Sequence, residues 1–304
     1  MGNRITLNAL AGIVAVAAAW LPASRAFSAS ETTVSALAQK THFHGIAVNP
    51  GDPSQLYLAT HHGLFQVGPD GKARRISKTT DDFMGFTPHP TDASILYASG
   101  HPAGGGNLGF IASRNGGMSW TQISRGVRGP VDFHQMDVSR ANPKVIYGIH
   151  GGLQVSRDSG RNWRMAGPGP EGLIDLAASA KDVNVLYAAT KEGLLKSKDT
   201  GRSWQPAYIL RRPVTMVQTS SGGGVYAFVV GTGLIRTMEP GLNWRTIGDS
   251  LGDAYILHLA VDPTHDSKLY AVTFNPKTRR NAVLASGDGG RSWLSLGSTT
   301  KREK

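Results

Sequence analysis

The sequence predicts an all-β fold, a six-bladed β-propeller, and three observations carry that prediction. An octet motif recurs five times, and a strand-like segment with a central tyrosine recurs six times. The chain also has 38 glycines and only 17% charged residues, a composition that favours turn-rich β structure over helices. A chain of 304 residues is long enough to bury a sizeable core in one large β domain.

The first segment, residues 1–29, is predicted to be a secretory signal peptide. Arg4 precedes the apolar run ITLNALAGIVAVAAAWL, and small residues follow near Ala26 and Ala29. The run is short for a membrane span, which needs about 20 apolar residues, so we expect no transmembrane segment after cleavage. The chain has no cysteine and therefore neither a disulfide nor a lipid attached through cysteine. A periplasmic or secreted protein is expected.

The tyrosine segment sets the period of the repeat. Successive tyrosines are 39 to 50 residues apart, and they are Tyr57, Tyr97, Tyr147, Tyr187, Tyr226 and Tyr270. Each unit contains an apolar strand, a turn with Asp or Pro, the tyrosine strand, a third strand, the octet and a fourth strand. Four short strands in about 40 to 50 residues are typical of one propeller blade. The repeat therefore predicts six blades in residues 30–297, and a basic C-terminal tail is expected in residues 298–304.

The octets are predicted to be hairpins between the third and fourth strands of a unit. They are SRNGGMSW, SRDSGRNW, SKDTGRSW, TMEPGLNW and SGDGGRSW, and the first unit has VGPDGKARRI in the same place. The side-chain oxygen of the third residue can accept backbone N–H bonds in a tight turn, glycine supplies a positive φ, and tryptophan anchors the next strand. The structural residues of this motif are Asn115, Asp158, Asp199, Glu239, Asp288, Trp120, Trp163, Trp204, Trp244 and Trp293.

These octets resemble the Asp-box, or BNR repeat, of sialidases, sortilin-type ectodomains and photosystem assembly-factor propellers. The layout of the whole chain is similar to that of exported bacterial Asp-box proteins labelled sialidase-like glycosyl hydrolases. The resemblance implies the propeller fold but leaves the function open, because Asp-boxes lie on outer hairpins away from the channel mouth where such propellers bind ligands.

A sialidase-like enzyme would need three arginines, a tyrosine nucleophile paired with glutamate, and an aspartic acid. These features are not visible, and no glutamate is paired convincingly with a tyrosine, whether Glu31, Glu171, Glu192, Glu239 or Glu303. Asp82 and Asp132 occupy equivalent positions of adjacent units and remain the two carboxylates of an alternative glycoside hydrolase. The sequence nevertheless favours a protein that is not an enzyme.

The stretch DFHQM, residues 132–136, points to a different kind of site. In a strand, Asp132, His134 and Met136 would share one face. Counted back from the tyrosine of each unit, Asp132-Phe133-His134 is equivalent to His42-Phe43-His44 and Asp82-Phe83-Met84. The second strand is antiparallel to the first and ends beside this point, where it carries His61 and His62, His101, and His150. Seven of the ten histidines are thus expected at one end of the first three blades, with only His89, His258 and His265 elsewhere.

Neutral histidine is the commonest protein metal ligand, and the thioether of methionine favours Cu(I). We therefore expect a metal site at the channel mouth, with copper as the favoured ion. The predicted ligands are His42, His44, Met84, His134, His101 and His150. Asp82 and Asp132 would hold the imidazole tautomers, and Met136, His61 and His62 would complete the pocket. Zinc, iron or nickel could use the histidines alone, and a pocket for a small polar molecule is a further alternative.

The formal net charge is +11 and falls to +9 without Arg4 and Arg25 of the signal peptide. A basic exported protein can meet an anionic lipid surface or a glycan, whereas nucleic acid is not an expected partner outside the cytoplasm. Three functions remain open: a non-catalytic propeller that binds a metal ion or a partner protein at its mouth, a sialidase-like glycoside hydrolase, and a protein-binding platform of the assembly-factor type.

Overall fold

A computed structural model describes residues 31–248 and 251–297, and it confirms the six-bladed β-propeller. Six antiparallel sheets follow one another along the chain. The predicted signal peptide, residues 1–29, and the tail, residues 298–304, lie outside the described residues. Within the described ranges no helix has the length and apolar character needed to cross a membrane.

Each blade uses four consecutive strands. The first has β2 (Phe43–Val48), β3 (Leu56–Thr60), β4 (Gly63–Val67) and β5 (Lys72–Arg75). The second has β6 (Asp82–Pro88), β7 (Leu96–His101), β8 (Phe110–Ser113) and β9 (Thr121–Ser124). The third has β10 (Gln135–Val138), β11 (Ile146–Ile149), β12 (Leu153–Ser156) and β13 (Arg164–Gly167).

The remaining blades repeat this order. The fourth has β14 (Leu173–Ala178), β15 (Leu186–Thr190), β16 (Gly193–Ser197) and β17 (Gln205–Pro206). The fifth has β18 (Val214–Thr219), β19 (Gly224–Val229), β20 (Gly233–Met238) and β21 (Arg245–Gly248). The sixth has β22 (Tyr255–Val261), β23 (Leu269–Asn275), β24 (Arg280–Ser286) and β25 (Leu294–Ser295). The six repeated tyrosines all lie in second strands, as the repeat predicts.

The ring closes between the first and the sixth blade. The inner strand β2 contacts both β6 and β22. A short strand that the repeat does not predict, β1 (Thr32–Thr33), pairs with β5 as a fifth strand of the first blade. It leads into the helix α1 (Val34–Ala38), which begins at the N-cap Thr33 and buries Val34 and Leu37 in a cluster shared by the first and sixth blades. The N-terminal segment therefore holds the two ends of the ring together.

The octet hairpins are built by a fixed set of hydrogen bonds. In the third blade, the hydroxyl of Ser156 donates to Asp158 Oδ1 (2.9 Å) and accepts from the N–H of Gly160 (2.8 Å). Asp158 Oδ1 also accepts from the N–H of Asn162 (2.9 Å), and Trp163 Nε1 donates to the carbonyl of Gly160 (3.0 Å). The serine and carboxylate or amide bonds recur at Asn115, Asp199 and Asp288.

The glycine of each such hairpin packs against the third strand of the preceding blade. A Cβ atom at Gly160 would lie 1.9 Å from Phe110 Cε1, and one at Gly201 would lie 2.0 Å from Leu153 Cδ2. The same contact joins Gly117 to Leu64 and Gly290 to Leu234. These glycines also have positive φ, +82° at both Gly160 and Gly201. Glycine is therefore required twice, for the turn and for the contact between blades.

The fifth blade departs from this pattern, and Glu239 does not have the turn role predicted for it. Its carboxylate reaches the fourth blade, where it accepts from the hydroxyl of Tyr187 (2.9 Å) and from the N–H of Ala180 (3.0 Å). The sequence interpretation that no glutamate pairs with a tyrosine is also wrong at this point. Burial, and secondly the charge of Glu239, raise the pKa of Tyr187 above its ordinary value. A phenol held protonated in this way is a structural partner rather than a nucleophile.

Asp199→Asn is expected to remove an acid-sensitive part of the stability. Hydrogen bonds from the hydroxyl and the N–H of Ser203, and then from Ser197, lower the pKa of Asp199 from 3.8 to about 2. A carboxyl whose pKa is lower in the folded state stabilises it above the unfolded pKa, and this contribution is lost as the pH falls through the folded pKa. Thermal denaturation should give the wild type a higher melting temperature than the variant at pH 6. The difference in melting temperature should shrink between pH 4 and pH 2. If the difference in melting temperature at pH 2 is the same as at pH 6, the Asp199 carboxylate does not stabilise the fold in this way.

Candidate metal centre at the channel mouth

One end of the propeller collects the predicted site residues. The inner strands begin at this end and the second strands finish there, as the pairs Asp82 with His101 and Phe43 with Thr60 show. We call it the mouth. The central channel below it is an axial cavity of about 150 Å³ lined by the six inner strands and the turns that follow them.

The stretch DFHQM is a strand only in its second half, because β10 begins at Gln135. The backbone of Asp132 is held instead by the imidazole of His150, whose Nδ1 lies 3.3 Å from its N–H and 3.1 Å from its carbonyl oxygen. The N–H of Phe133 donates to the hydroxyl of Ser99 in the second blade (2.9 Å). The expected two-residue alternation therefore fails, and Asp132 is buried while His134 is exposed.

The structure brings His44, His61 and Asp82 together between the first and second blades. His61 Nδ1 lies 2.7 Å from Asp82 Oδ2 and 3.1 Å from His44 Nε2. His44 Nε2 lies 3.4 Å from Asp82 Oδ1, an oxygen that is buried and makes no hydrogen bond within the described part of the chain. We call these three residues the blade 1–2 cluster.

A second group joins the second and third blades through His101, Asp132 and His134. Asp132 Oδ2 lies 3.0 Å from His101 Nε2 and 2.5 Å from His134 Nε2. We call these residues the blade 2–3 cluster. In each cluster the three candidate ligand atoms lie within 4.8 Å of one another, and these are the two such groups within residues 31–248 and 251–297.

The two clusters are related by the repeat. His61 and His101 each follow the tyrosine of their blade by four residues, and Asp82 and Asp132 each precede the next tyrosine by fifteen. Each carboxylate therefore meets a histidine at the end of the second strand of the preceding blade, His61 directly after β3 and His101 as the last residue of β7. The third residue of each cluster breaks this relation. His44 comes from the first blade in the blade 1–2 cluster, whereas His134 comes from the third blade in the blade 2–3 cluster.

The other predicted ligands lie outside both clusters. His42 is exposed, and its ring centroid is 5.7 Å from that of His61. The ring of His62 is 6.5 Å from the same ring. Met84 and Met136 are buried, and Met136 belongs to a hydrophobic core cluster. Asp82 and Asp132, expected to sit behind the imidazoles, place their own oxygens among the candidate ligand atoms.

The repeat leaves His258 outside the seven histidines expected at the mouth, and His258 belongs to neither cluster. His258 lines the axial cavity together with His44 and His134. Counting thirteen residues back from the tyrosine gives His44 in the first blade and Leu257 in the sixth, and the same bulge surrounds both positions. Counting twelve back gives a row that faces the cavity in five blades, namely Gly45, Gly85, Gln135, Asp175 and His258.

Burial controls the charge of these groups. It lowers the pKa of His44 to about 4, with the negative charge of Asp82 opposing the shift, and it lowers the pKa of His258 to about 4 as well. A hydrogen bond to the carbonyl of Gly106 raises the pKa of His101, and burial raises the pKa of Asp175 to about 7. At neutral pH His44 and His258 are therefore neutral imidazoles, the form that binds metal ions.

Comparison with known proteins supports the fold and leaves the family open. No family model matches the chain. A xyloglucanase of Hypocrea jecorina (strain QM6a) is 25% identical over 198 residues, which cover 60% of this chain and 22% of the xyloglucanase. A GH74 enzyme from Niastella koreensis superposes with a TM-score of 0.60 and 15% identity, covering 84% of this chain and 45% of the enzyme. The chain thus spans less than half the length of these relatives.

A shorter propeller is similar over nearly its whole length. YCF48, solved bound to D1 peptide, superposes with a TM-score of 0.52 and 15% identity and covers 89% of this chain and 87% of its own. At this level of identity the solved structures show a shared fold and not a shared chemistry. The chain is therefore a six-bladed β-propeller with xyloglucanase-like and YCF48-like structural neighbours.

Proposed function

We propose that this protein is an exported, non-catalytic propeller that binds a transition-metal ion at the mouth through the blade 1–2 cluster. The observation that carries the proposal is the contact of two imidazoles with the half-buried carboxylate of Asp82, whose Oδ1 is buried and has no hydrogen bond in the described part of the chain. A buried ionised carboxylate is costly without a counter-charge. A cation between His44, His61 and Asp82 would supply that charge.

The donor set bears on the identity of the ion. Two imidazole nitrogens and one carboxylate oxygen suit divalent copper, zinc or iron, whereas Cu(I) prefers the sulfur that Met84 would have provided. Copper remains the first candidate, as Cu(II). Three protein ligands leave at least one coordination position for water or for a donor from a partner.

Two other functions have support from the relatives. The xyloglucanase and the GH74 enzyme make glycoside hydrolysis a candidate, for which Asp82 and Asp132 would be the carboxylates. Each of these carboxylates is in contact with two histidines, an environment that favours cation binding over proton transfer to a sugar. The peptide complex of YCF48 makes protein binding a candidate, and it is compatible with a metal at the mouth.

His61→Ala is expected to weaken binding of Cu(II) and Zn(II) at this cluster by about tenfold or more, because it removes one of three ligands. The side chain of His61 is 40% exposed, so the variant should fold. Isothermal titration calorimetry on the purified protein measures the affinity. His265→Ala, in a turn of the sixth blade, is the matched control. Unchanged affinity in His61→Ala would contradict the proposal, and turnover of a fluorogenic glycoside that is lost in Asp82→Asn would replace it with a hydrolase.

A further inference from the structure

We infer that the blade 2–3 cluster is a second metal site, with coordination positions that are open to solvent and take a small anionic donor. The ligands are His101 Nε2, Asp132 Oδ2 and His134 Nε2. None of them belongs to the blade 1–2 cluster. The inference therefore stands or falls separately from the proposed function.

The carboxylate of Asp132 is the first observation. Its side chain is 6% exposed, and Oδ1 is buried without a hydrogen bond in the part of the chain that the structure describes. Oδ2 is shared between two imidazole nitrogens that approach it from different blades. Unpartnered buried carboxylate oxygens are rare, because each carries the full cost of desolvation. A divalent cation held by both nitrogens and Oδ2 would neutralise the charge of this buried carboxylate.

The cluster is also held in place before any ion arrives. His101 Nδ1 donates to the carbonyl of Gly106 (2.8 Å), which leaves Nε2, the nitrogen that faces Asp132, as the one a metal ion would bind in place of a proton. Metal-binding histidines use their second nitrogen in this way. The loop that carries Gly106 is tied down by Asn107, whose amide donates to the carbonyl of Pro130 (2.9 Å).

Exposure distinguishes this site from the first one. In the blade 2–3 cluster the two imidazoles are 42% and 61% exposed, at His101 and His134. In the blade 1–2 cluster His61 is 40% exposed but His44 is only 16% exposed, so the difference lies in the second imidazole of each site. Three protein ligands do not fill the coordination sphere of a four- to six-coordinate ion. At the exposed cluster the remaining positions face solvent, so water or a small anion can occupy them.

The test uses metal stoichiometry and azide. Purified full-length wild type should bind two Zn(II) ions per chain in isothermal titration calorimetry. His101→Ala/His134→Ala should bind one, as should His61→Ala. With Cu(II) bound, azide should produce a ligand-to-metal charge-transfer band in wild type and in His61→Ala, and the band should be much weaker in the double variant, whose remaining copper is held partly by the 16% exposed His44. Circular dichroism checks the fold, and the single variant His134→Ala gives the same readout with a smaller change.

Two results would overturn the inference. One is a double variant that still binds as many Zn(II) ions as wild type. The other is an azide band of equal intensity in wild type and in the double variant, which would place the open position at another copper. If His61→Ala alone keeps two ions while the double variant keeps one, the second site stands and the proposed function at the blade 1–2 cluster fails.

Discussion

Trp163→Ala is expected to lower the free energy of unfolding by about 3 kcal/mol, because it empties a large aromatic site between two blades. The indole ring lies 5.3 Å from the ring of Phe110 in the second blade and 4.8 Å from that of Phe133. Its Nε1 donates to the hydroxyl of Ser124 (2.9 Å) and to the carbonyl of Gly160 (3.0 Å). The substitution removes ring packing and hydrogen bonds together.

Phenylalanine separates these two contributions. Trp163→Phe keeps an aromatic ring and loses the N–H, so a cost of about 1 kcal/mol is expected. The matched control is Trp204→Phe, because Trp204 Nε1 is buried without a hydrogen-bond partner among the described residues. Removing that N–H should cost less than removing the one at Trp163. Urea denaturation measures both, and equal losses in the two phenylalanine variants would show that the hydrogen bonds of Trp163 contribute nothing measurable.

The fold was predictable because the strand pattern and the turn motif of the repeat both indicate the same propeller blade. Tyr147 and its equivalents mark the second strands, and the octet around Asp158 marks the hairpins by turn chemistry that works locally. Local and global preferences that agree in this way specify a single structure. The strand β1 and the helix α1 were not predicted, because they occur once and no repeat reveals them.

The mouth was predictable in composition but not in arrangement. Asp82 and Asp132 have the same spacing from the tyrosine of their units, and this correctly predicted that both lie at one end. It also predicted one shared pocket, whereas the structure has two clusters. The reason is that each carboxylate meets the preceding blade, so neighbouring blades form separate pairs. Spacing from the tyrosine also cannot show that His150 binds the backbone of Asp132 in place of a strand partner, or that His258 faces the cavity.

Glu239 shows how one methylene group changes a motif. Aspartate at the equivalent octet position bonds its own turn, as Asp158 does. The longer side chain of Glu239 reaches Tyr187 of the preceding blade instead. In this hairpin Gly241 lacks the close contact that the other octet glycines make with the preceding blade. The carboxylate therefore connects the fifth blade to the fourth at the place where glycine packing connects the others.

Gly100→Ala is expected to disrupt the fold and the mouth together. Gly100 has a φ of +119°, and a Cβ atom there would lie 2.0 Å from the carbonyl oxygen of Asp82 and 3.0 Å from the N–H nitrogen of Met84. Both atoms are backbone and cannot turn away. Strain at positive φ costs about 1–2 kcal/mol, and overpacking adds about 1–3 kcal/mol, so a loss of about 3 kcal/mol or more is expected.

The same displacement should reach the blade 1–2 and blade 2–3 clusters, because β6 begins at Asp82 and the residue after Gly100 is His101. Zn(II) affinity measured at low temperature, where the variant is still folded, should fall at both sites. The control is Gly105→Ala in the adjoining loop, where φ is +88° and a Cβ atom would meet nothing within 4 Å. It should cost only the strain at positive φ, about 1–2 kcal/mol, and keep both ions. Equal losses of stability in the two variants would show that β7 can move away from β6, and that the contact at Gly100 does not hold the mouth in place.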